Sequence, residues 1–173
     1  FVVDTETCDG GTVVITGLAG GTFAFETAPT DAATIDPNTG EVTNGTPGAS
    51  YTIEYTTNGV CPASSTQILT VLPLDDTSFT MTPNCFGATA TVTGQVGGTF
   101  AFNPIPTDGA ILDAATGEIT MGVPGTTYTL DYTTNGPCVA TGTQDVTVFE
   151  QPVVPAIPAY EICDNDDDGD ETN

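Results

Sequence analysis

The chain repeats itself, and this feature limits its possible folds more than any other. Shifted by 77 residues, the sequence lies on itself without a gap, and more than half of the positions between 5 and 71 are identical. The segments GGTFAF (20–25 and 97–102) and YTTNG (55–59 and 132–136) occur in both copies. Two copies of one fold, each of about 75 residues, are the economical interpretation.

The two copies also indicate which side chains face a core. Apolar and polar residues alternate along 51–57, which is typical of a half-buried strand. Ile68 is replaced by Asp145 in the second copy, so this position is predicted to face outward. Leu69 and Val71 are apolar in both copies and are predicted to face the core.

Turn signals separate these short strands throughout the chain. The Asn-Gly pairs at 58–59 and 135–136 predict hairpins closed by residues of positive φ. Asp36 and Asp113 are predicted to accept backbone N–H bonds across turns that end in glycine. No ten-residue stretch has a helical period. Short strands with frequent turns therefore predict an all-β chain with one β-sandwich per repeat.

The charge of the chain excludes several classes of function. It has no Lys, Arg or His and 23 acidic residues, for a formal charge of −23. Nucleic-acid binding is excluded because nothing can neutralise a phosphate. No apolar run approaches the roughly 20 residues of a membrane span, so no membrane insertion is expected. Catalysis by His, Lys or Arg is impossible, and no acid pair stands out in both copies, so we expect no enzyme.

The five cysteines predict disulfides and hence an extracellular location. Cys8 and Cys61 are separated by the same number of residues as Cys85 and Cys138, so we predict the pairs Cys8–Cys61 and Cys85–Cys138. Cys163 is then unpaired in this fragment and would open a third unit. The alternatives are five reduced, buried thiols or a zinc site, and the absence of His and of Cys-x-x-Cys disfavours zinc.

An acidic cluster near the C-terminus predicts a calcium site. Asp164, Asp166, Asp168 and Asp170 alternate around Gly169, as at the start of a calcium loop. The motif resembles EF-hand and thrombospondin type 3 loops, although a closing downstream acid is missing. We therefore expect Ca²⁺ as a cofactor of this segment. The alternative is a solvated acidic linker without bound metal.

Two segments carry a family resemblance. The sequences IDPNTGEVTNGTPGASYTIEYT (35–56) and LDAATGEITMGVPGTTYTLDYT (112–133) resemble the Ig-like, cadherin-like repeats of bacterial surface proteins. The sequence AYEICDNDDDGDETN (159–173) resembles segments of large Bacteroidota surface proteins exported by the type IX secretion route, including gliding-motility adhesins. The resemblance implies two tandem Ig-like β-sandwich domains in an elongated array, followed by the acidic start of a third unit.

These observations together give a domain division and a functional hypothesis. Residues 1–74 and 75–151 are predicted to be Ig-like repeats, and 152–173 a Pro-rich linker and the calcium-loop-like start of a further repeat. The predicted function is a non-catalytic rod segment of a bacterial cell-surface adhesin or filament, stapled by disulfides and stiffened by calcium. Its partners would be neighbouring repeats, further copies by lateral or end-to-end association, and an unknown surface ligand. The alternatives are a glycan- or protein-binding module and a spacer of a secreted hydrolase.

Overall fold

The structure is a computed structural model that describes residues 1–156, and these residues form strands and no helix. The first copy contains β1 (Val2–Glu6), β2 (Gly11–Val14), β3 (Thr22–Phe25), β4 (Thr34–Ile35), β5 (Val42–Thr43), β6 (Ser50–Thr56) and β7 (Ser64–Thr70). The second copy contains β8 (Phe79–Pro83), β9 (Ala88–Val92), β10 (Thr99–Phe102), β11 (Ile111–Leu112), β12 (Ile119–Thr120), β13 (Thr127–Thr133) and β14 (Thr141–Thr147). The predicted all-β class is confirmed.

Each copy forms two antiparallel sheets with the same strand order. In the first copy, one sheet has the order β1-β2-β5-β4 and the other β3-β6-β7. In the second copy, the corresponding orders are β8-β9-β12-β11 and β10-β13-β14. The repeat seen in the sequence is therefore a repeat of the complete strand topology.

A separate core fills each copy between its two sheets. In the first copy, Val42 from the four-stranded sheet packs with Phe23, Ile53 and Leu69 from the three-stranded sheet. In the second copy, Ile119 and the residues equivalent to those three form a matching cluster. Since each core takes side chains from both sheets, each copy is a β-sandwich, as the sequence predicts.

The strand faces also agree with the prediction. Leu69 and Val71 are fully buried, whereas Ile68 is 63% exposed. On β6, every second side chain from Tyr51 onward is buried. The apolar side chains of the alternating pattern therefore point to the core, and the polar side chains point to solvent.

The turn predictions are confirmed in one case and wrong in the other. Asp36 accepts the backbone N–H groups of Asn38 and Thr39 at 2.7 and 3.2 Å, and Gly40 has a φ of 74°. The Asn-Gly pairs, however, do not form two-residue turns of positive φ. They lie inside loops 57–63 and 134–140, where no residue has positive φ. These longer loops allow the hairpin tips to make contacts outside their own hairpins.

Candidate functional site at the junction between the two copies

A disulfide joins the first copy to the second. It links Cys8, in the turn between β1 and β2, to Cys138, in the loop between β13 and β14. The two Cα atoms are 5.4 Å apart, although the residues are 130 positions apart in sequence. The predicted pairs Cys8–Cys61 and Cys85–Cys138 are therefore wrong in this structure. Within residues 1–156, Cys61 and Cys85 are both exposed and have no disulfide partner.

The direction of the strands explains why the predicted pairs do not form. The carbonyl of Thr7, beside Cys8, accepts the N–H of Leu72, which lies two residues beyond the end of β7. Cys61 lies in the loop that precedes β7, whose seven residues span roughly 20 Å. A disulfide requires Cα atoms within about 7 Å. We call Cys8 and Cys85 the first-turn cysteines and Cys61 and Cys138 the hairpin-tip cysteines. The first-turn and hairpin-tip cysteines of one copy therefore lie at opposite ends of its sandwich.

The linker residue Asp75 holds the hairpin tip of the second copy at this junction. Its backbone N–H donates to the carbonyl of Cys138 at 2.9 Å. Its carboxylate accepts the hydroxyl of Thr134 at 2.8 Å and the backbone N–H of Cys138 at 3.4 Å. Thr134 is 3% exposed, so its hydroxyl needs such a partner. Comparison of the two copies could not reveal Asp75, because the equivalent position in the second copy is Pro152.

The close approach of Asp75 requires a glycine on the hairpin. A Cβ atom added to Gly136 would lie 2.5 Å from both carboxylate oxygens of Asp75. The equivalent Gly59 in the first copy has open space, with the nearest atom, Leu18 Cδ2, at 3.9 Å. The Asn-Gly hairpin loop of the second copy is thus covered by Asp75, whereas the same sequence in the first copy is open to solvent.

A second polar contact occurs once in each copy and was not predicted from the sequence. The Tyr51 hydroxyl donates to the Asp31 carboxylate at 2.5 Å, and the Tyr128 hydroxyl donates to that of Asp108 at 2.6 Å. Both aspartates follow a Pro-Thr pair in the two copies, and that identity was the available signal. These bonds hold the segments around the two aspartates against β6 and β13.

These contacts change the acidity of the groups. The Tyr51 hydroxyl, together with the Thr46 hydroxyl, lowers the pKa of Asp31 to about 2. The Tyr128 hydroxyl lowers the pKa of Asp108 in the same way. Burial and, to a lesser extent, the hydrogen bond to the carboxylate raise the pKa of each tyrosine above its ordinary value.

The predicted calcium ligands lie outside the described residues. Asp164, Asp166, Asp168 and Asp170, and also Cys163, fall in segment 157–173, which the structure does not describe. Within residues 1–156, no group of three or more Cys, Asp or Glu side chains is placed to hold a metal ion. The calcium site therefore remains a prediction from the sequence.

Comparison with known proteins gives no family assignment. No protein-family model and no curated protein matches the chain. Among solved structures, extracellular cadherin domains 3–6 of protocadherin gamma B2 match 86% of this chain at 16% identity with a TM-score of 0.31. The human desmocollin-1 ectodomain matches 87% of it at 12% identity with a TM-score of 0.36. The chain spans 44% and 40% of the lengths of these two structures.

A third structure, human protocadherin-24 EC1-2, is similar at 12% identity with a TM-score of 0.31, over 78% of this chain and 84% of that one. At this level of similarity, no functional conclusion follows. In the described part of the chain, no helix has the length and apolar character needed to cross a membrane.

Proposed function

We propose that this chain is a structural repeat segment of an extracellular bacterial adhesin or surface filament. The observation that carries the proposal is the Cys8–Cys138 disulfide, because it joins successive copies instead of stapling each copy internally. A bond between copies contributes to the mechanical continuity of an array. Disulfides also persist mainly in oxidising environments outside the cytoplasm.

The position of the disulfide determines how the chain would respond to tension. A force applied at the two ends passes from Cys8 to Cys138 directly through the sulfur atoms. Strands β2 to β13 lie inside the closed loop and are shielded from extension, whereas β1 and β14 lie outside it. Without the bond, each unfolded repeat would release roughly 250 Å of extended chain.

Single-molecule force spectroscopy tests this function directly. The oxidised chain, pulled at its ends, should show no extension of repeat length before it detaches. The same chain after reduction, and the Cys8→Ser/Cys138→Ser double variant, should each show two such extensions. Two full extensions of the oxidised chain would overturn the proposed mechanical role.

The binding-module alternative has one observation in its favour. A shallow cleft lies beside each aspartate–tyrosine pair, lined by residues 27–31 and 49–52 in the first copy and by 104, 106–108 and 126–129 in the second. The Asp31 carboxylate already accepts the Tyr51 and Thr46 hydroxyls and two backbone N–H groups, which leaves it little capacity for a glycan hydroxyl. We therefore prefer the structural role to that of a binding module.

We further propose that Ca²⁺ binds Asp164, Asp166, Asp168 and Asp170 and stiffens the connection to a following unit. Support comes from the alternate spacing of the four carboxylates around Gly169. The chain has no Lys, Arg or His, so solvent cations are the available counter-ions for these carboxylates. Location on a bacterial cell surface and export by the type IX route belong to the same proposal and rest on the resemblance alone.

A further inference from the structure

We propose that Cys85 and Cys61 each form a disulfide with a neighbouring unit, and that these disulfides are equivalent to the Cys8–Cys138 bond. Cys85 would bond the hairpin-tip cysteine of a following unit, and Cys61 the first-turn cysteine of a preceding unit. The partner is therefore another repeat of this kind, stacked head to tail. The inference rests on the proposed structural function and extends it from one joint to a continuous series.

The turn that carries Cys85 has the backbone arrangement of the turn that carries Cys8. The carbonyl before Cys8 accepts the N–H of Leu72 at 2.9 Å, and the carbonyl before Cys85 accepts that of Phe149 at 3.1 Å. The carbonyl of the residue after each cysteine accepts a glycine N–H, at 2.7 Å in the first copy and 2.8 Å in the second. Cys85 is therefore presented at the end of the second sandwich as Cys8 is at the end of the first.

The loop that carries Cys61 likewise matches the loop that carries Cys138. Thr57 donates its backbone N–H to the carbonyl of Ala63 at 2.9 Å, and Thr134 donates its N–H to that of Ala140 at 3.0 Å. The threonine hydroxyl accepts the returning alanine N–H in both loops, at 3.0 and 2.9 Å. The loops differ in burial, because Cys138 is 2% exposed whereas Cys61 is exposed.

Apolar side chains surround both exposed cysteines. Val60, next to Cys61, is fully exposed, and Leu18 on the neighbouring loop is 63% exposed. Phe86, next to Cys85, is 62% exposed and lines a shallow groove together with Pro124, Pro152 and Val154. Exposed apolar side chains clustered at the two ends favour burial against a further unit.

The chemistry of the joint is a simple thiol oxidation. Two thiols form one disulfide and give up two protons and two electrons to an oxidant, which must itself be a disulfide or another two-electron acceptor. With oxidised glutathione, the products are one protein disulfide and two molecules of reduced glutathione. Cys61 and Cys85 are exposed, so such an oxidant can reach them.

The geometry of the joint distinguishes it from adventitious oxidation. The two cysteines lie at opposite ends of the chain's pair of sandwiches, so one chain's Cys85 meets another chain's Cys61. Such a head-to-tail contact joins two different surfaces, so it can be repeated from one chain to the next. Random oxidation would also give symmetric Cys61–Cys61 and Cys85–Cys85 dimers.

The test uses the full chain with Cys163→Ser, because that cysteine would otherwise compete. Incubated in a glutathione redox buffer, the chain should give a ladder of covalent multimers on a non-reducing gel. Peptide mapping should find Cys61–Cys85 links, using a protease that cuts at acidic residues because trypsin has no site. Cys61→Ser and Cys85→Ser should each abolish the ladder, and a mixture of these two variants should stop at a dimer.

Three outcomes separate this inference from the proposed function. Symmetric dimers from either single variant would overturn the head-to-tail joint. A chain that stays monomeric, with the Cys8–Cys138 link present in the peptide map, would overturn this inference alone. The absence of Cys8–Cys138 from the map would overturn the proposed function as well.

Discussion

At the scale of single residues, the junction depends on one acid without a basic partner. The Asp75 carboxylate is stabilised by a hydroxyl and an amide, since the sequence has no side-chain cation that could pair with it. These bonds are possible only because Gly136 leaves room for the carboxylate. The contact between the two copies at this joint therefore depends on the lack of a side chain at Gly136 as well as on the two cysteines.

The first prediction compares two glycines that occupy equivalent positions. Gly136→Ala would place a methyl group against the Asp75 carboxylate and should lower the free energy of unfolding by about 1–2 kcal/mol. Gly59→Ala is the matched control, because its position is open to solvent, and it should change that energy by less than about 0.5 kcal/mol. Urea denaturation of both variants checks the difference. Equal effects would show that Asp75 does not cover the hairpin.

The second prediction concerns acid stability. The pKa of Asp31 is lowered to about 2, so the folded form binds its proton less readily than the unfolded form. This contribution to stability is fully present above about pH 4 and is lost as the pH falls toward 2. Asp31→Asn should therefore be less stable than the native chain at pH 6, and the difference should shrink toward pH 2.

The measurement for this prediction is the melting temperature between pH 6 and pH 2. Glu26→Gln, which removes one charge from an exposed side chain, controls for the general fall in repulsion on acidification. If the difference between the native chain and Asp31→Asn were constant with pH, the bond from Tyr51 would contribute nothing to acid stability.

At the scale of strands and hairpins, the sequence was informative wherever the two copies could be compared. The replacement of Ile68 by Asp145 correctly identified the outward face of β7. The alternation along β6 predicted its buried tyrosines for the same reason. These predictions succeed because a strand has a period of two and a core excludes charge.

The same comparison could not determine how the cysteines pair. Equal spacing within each copy is compatible with a bond inside a copy and with a bond between copies. The choice depends on which end of the sandwich each turn occupies, and that follows from the number and direction of the strands between them. The order β3-β6-β7 and the short strands β4 and β5 could not be predicted from the sequence. The end of the sandwich at which each cysteine lies was therefore not known.

At the scale of the whole molecule, the main physical problem is the net charge of −23 without a single basic side chain. Repulsion between carboxylates opposes compact packing and lateral association alike. Covalent joints resist this repulsion at any ionic strength, and the Cys8–Cys138 disulfide is such a joint between the two copies. Solvent cations, above all divalent ones, are the available counter-ions, and the C-terminal segment 161–171 holds 7 of the 23 acids.

The final prediction is that Ca²⁺ binds this acidic segment specifically. Neighbouring carboxylates repel each other, and a divalent ion that they share converts that repulsion into attraction. Titration calorimetry of the full chain should show a calcium-binding heat that Asp166→Ala/Asp168→Ala abolishes. Glu26→Ala/Glu41→Ala, which removes two exposed acids from the first sandwich, should leave the binding heat unchanged. Equal heats from the two double variants would show that the segment is an acidic linker without a specific calcium site. The melting temperature of the sandwiches should not change with chelator, since their cores contain no carboxylate.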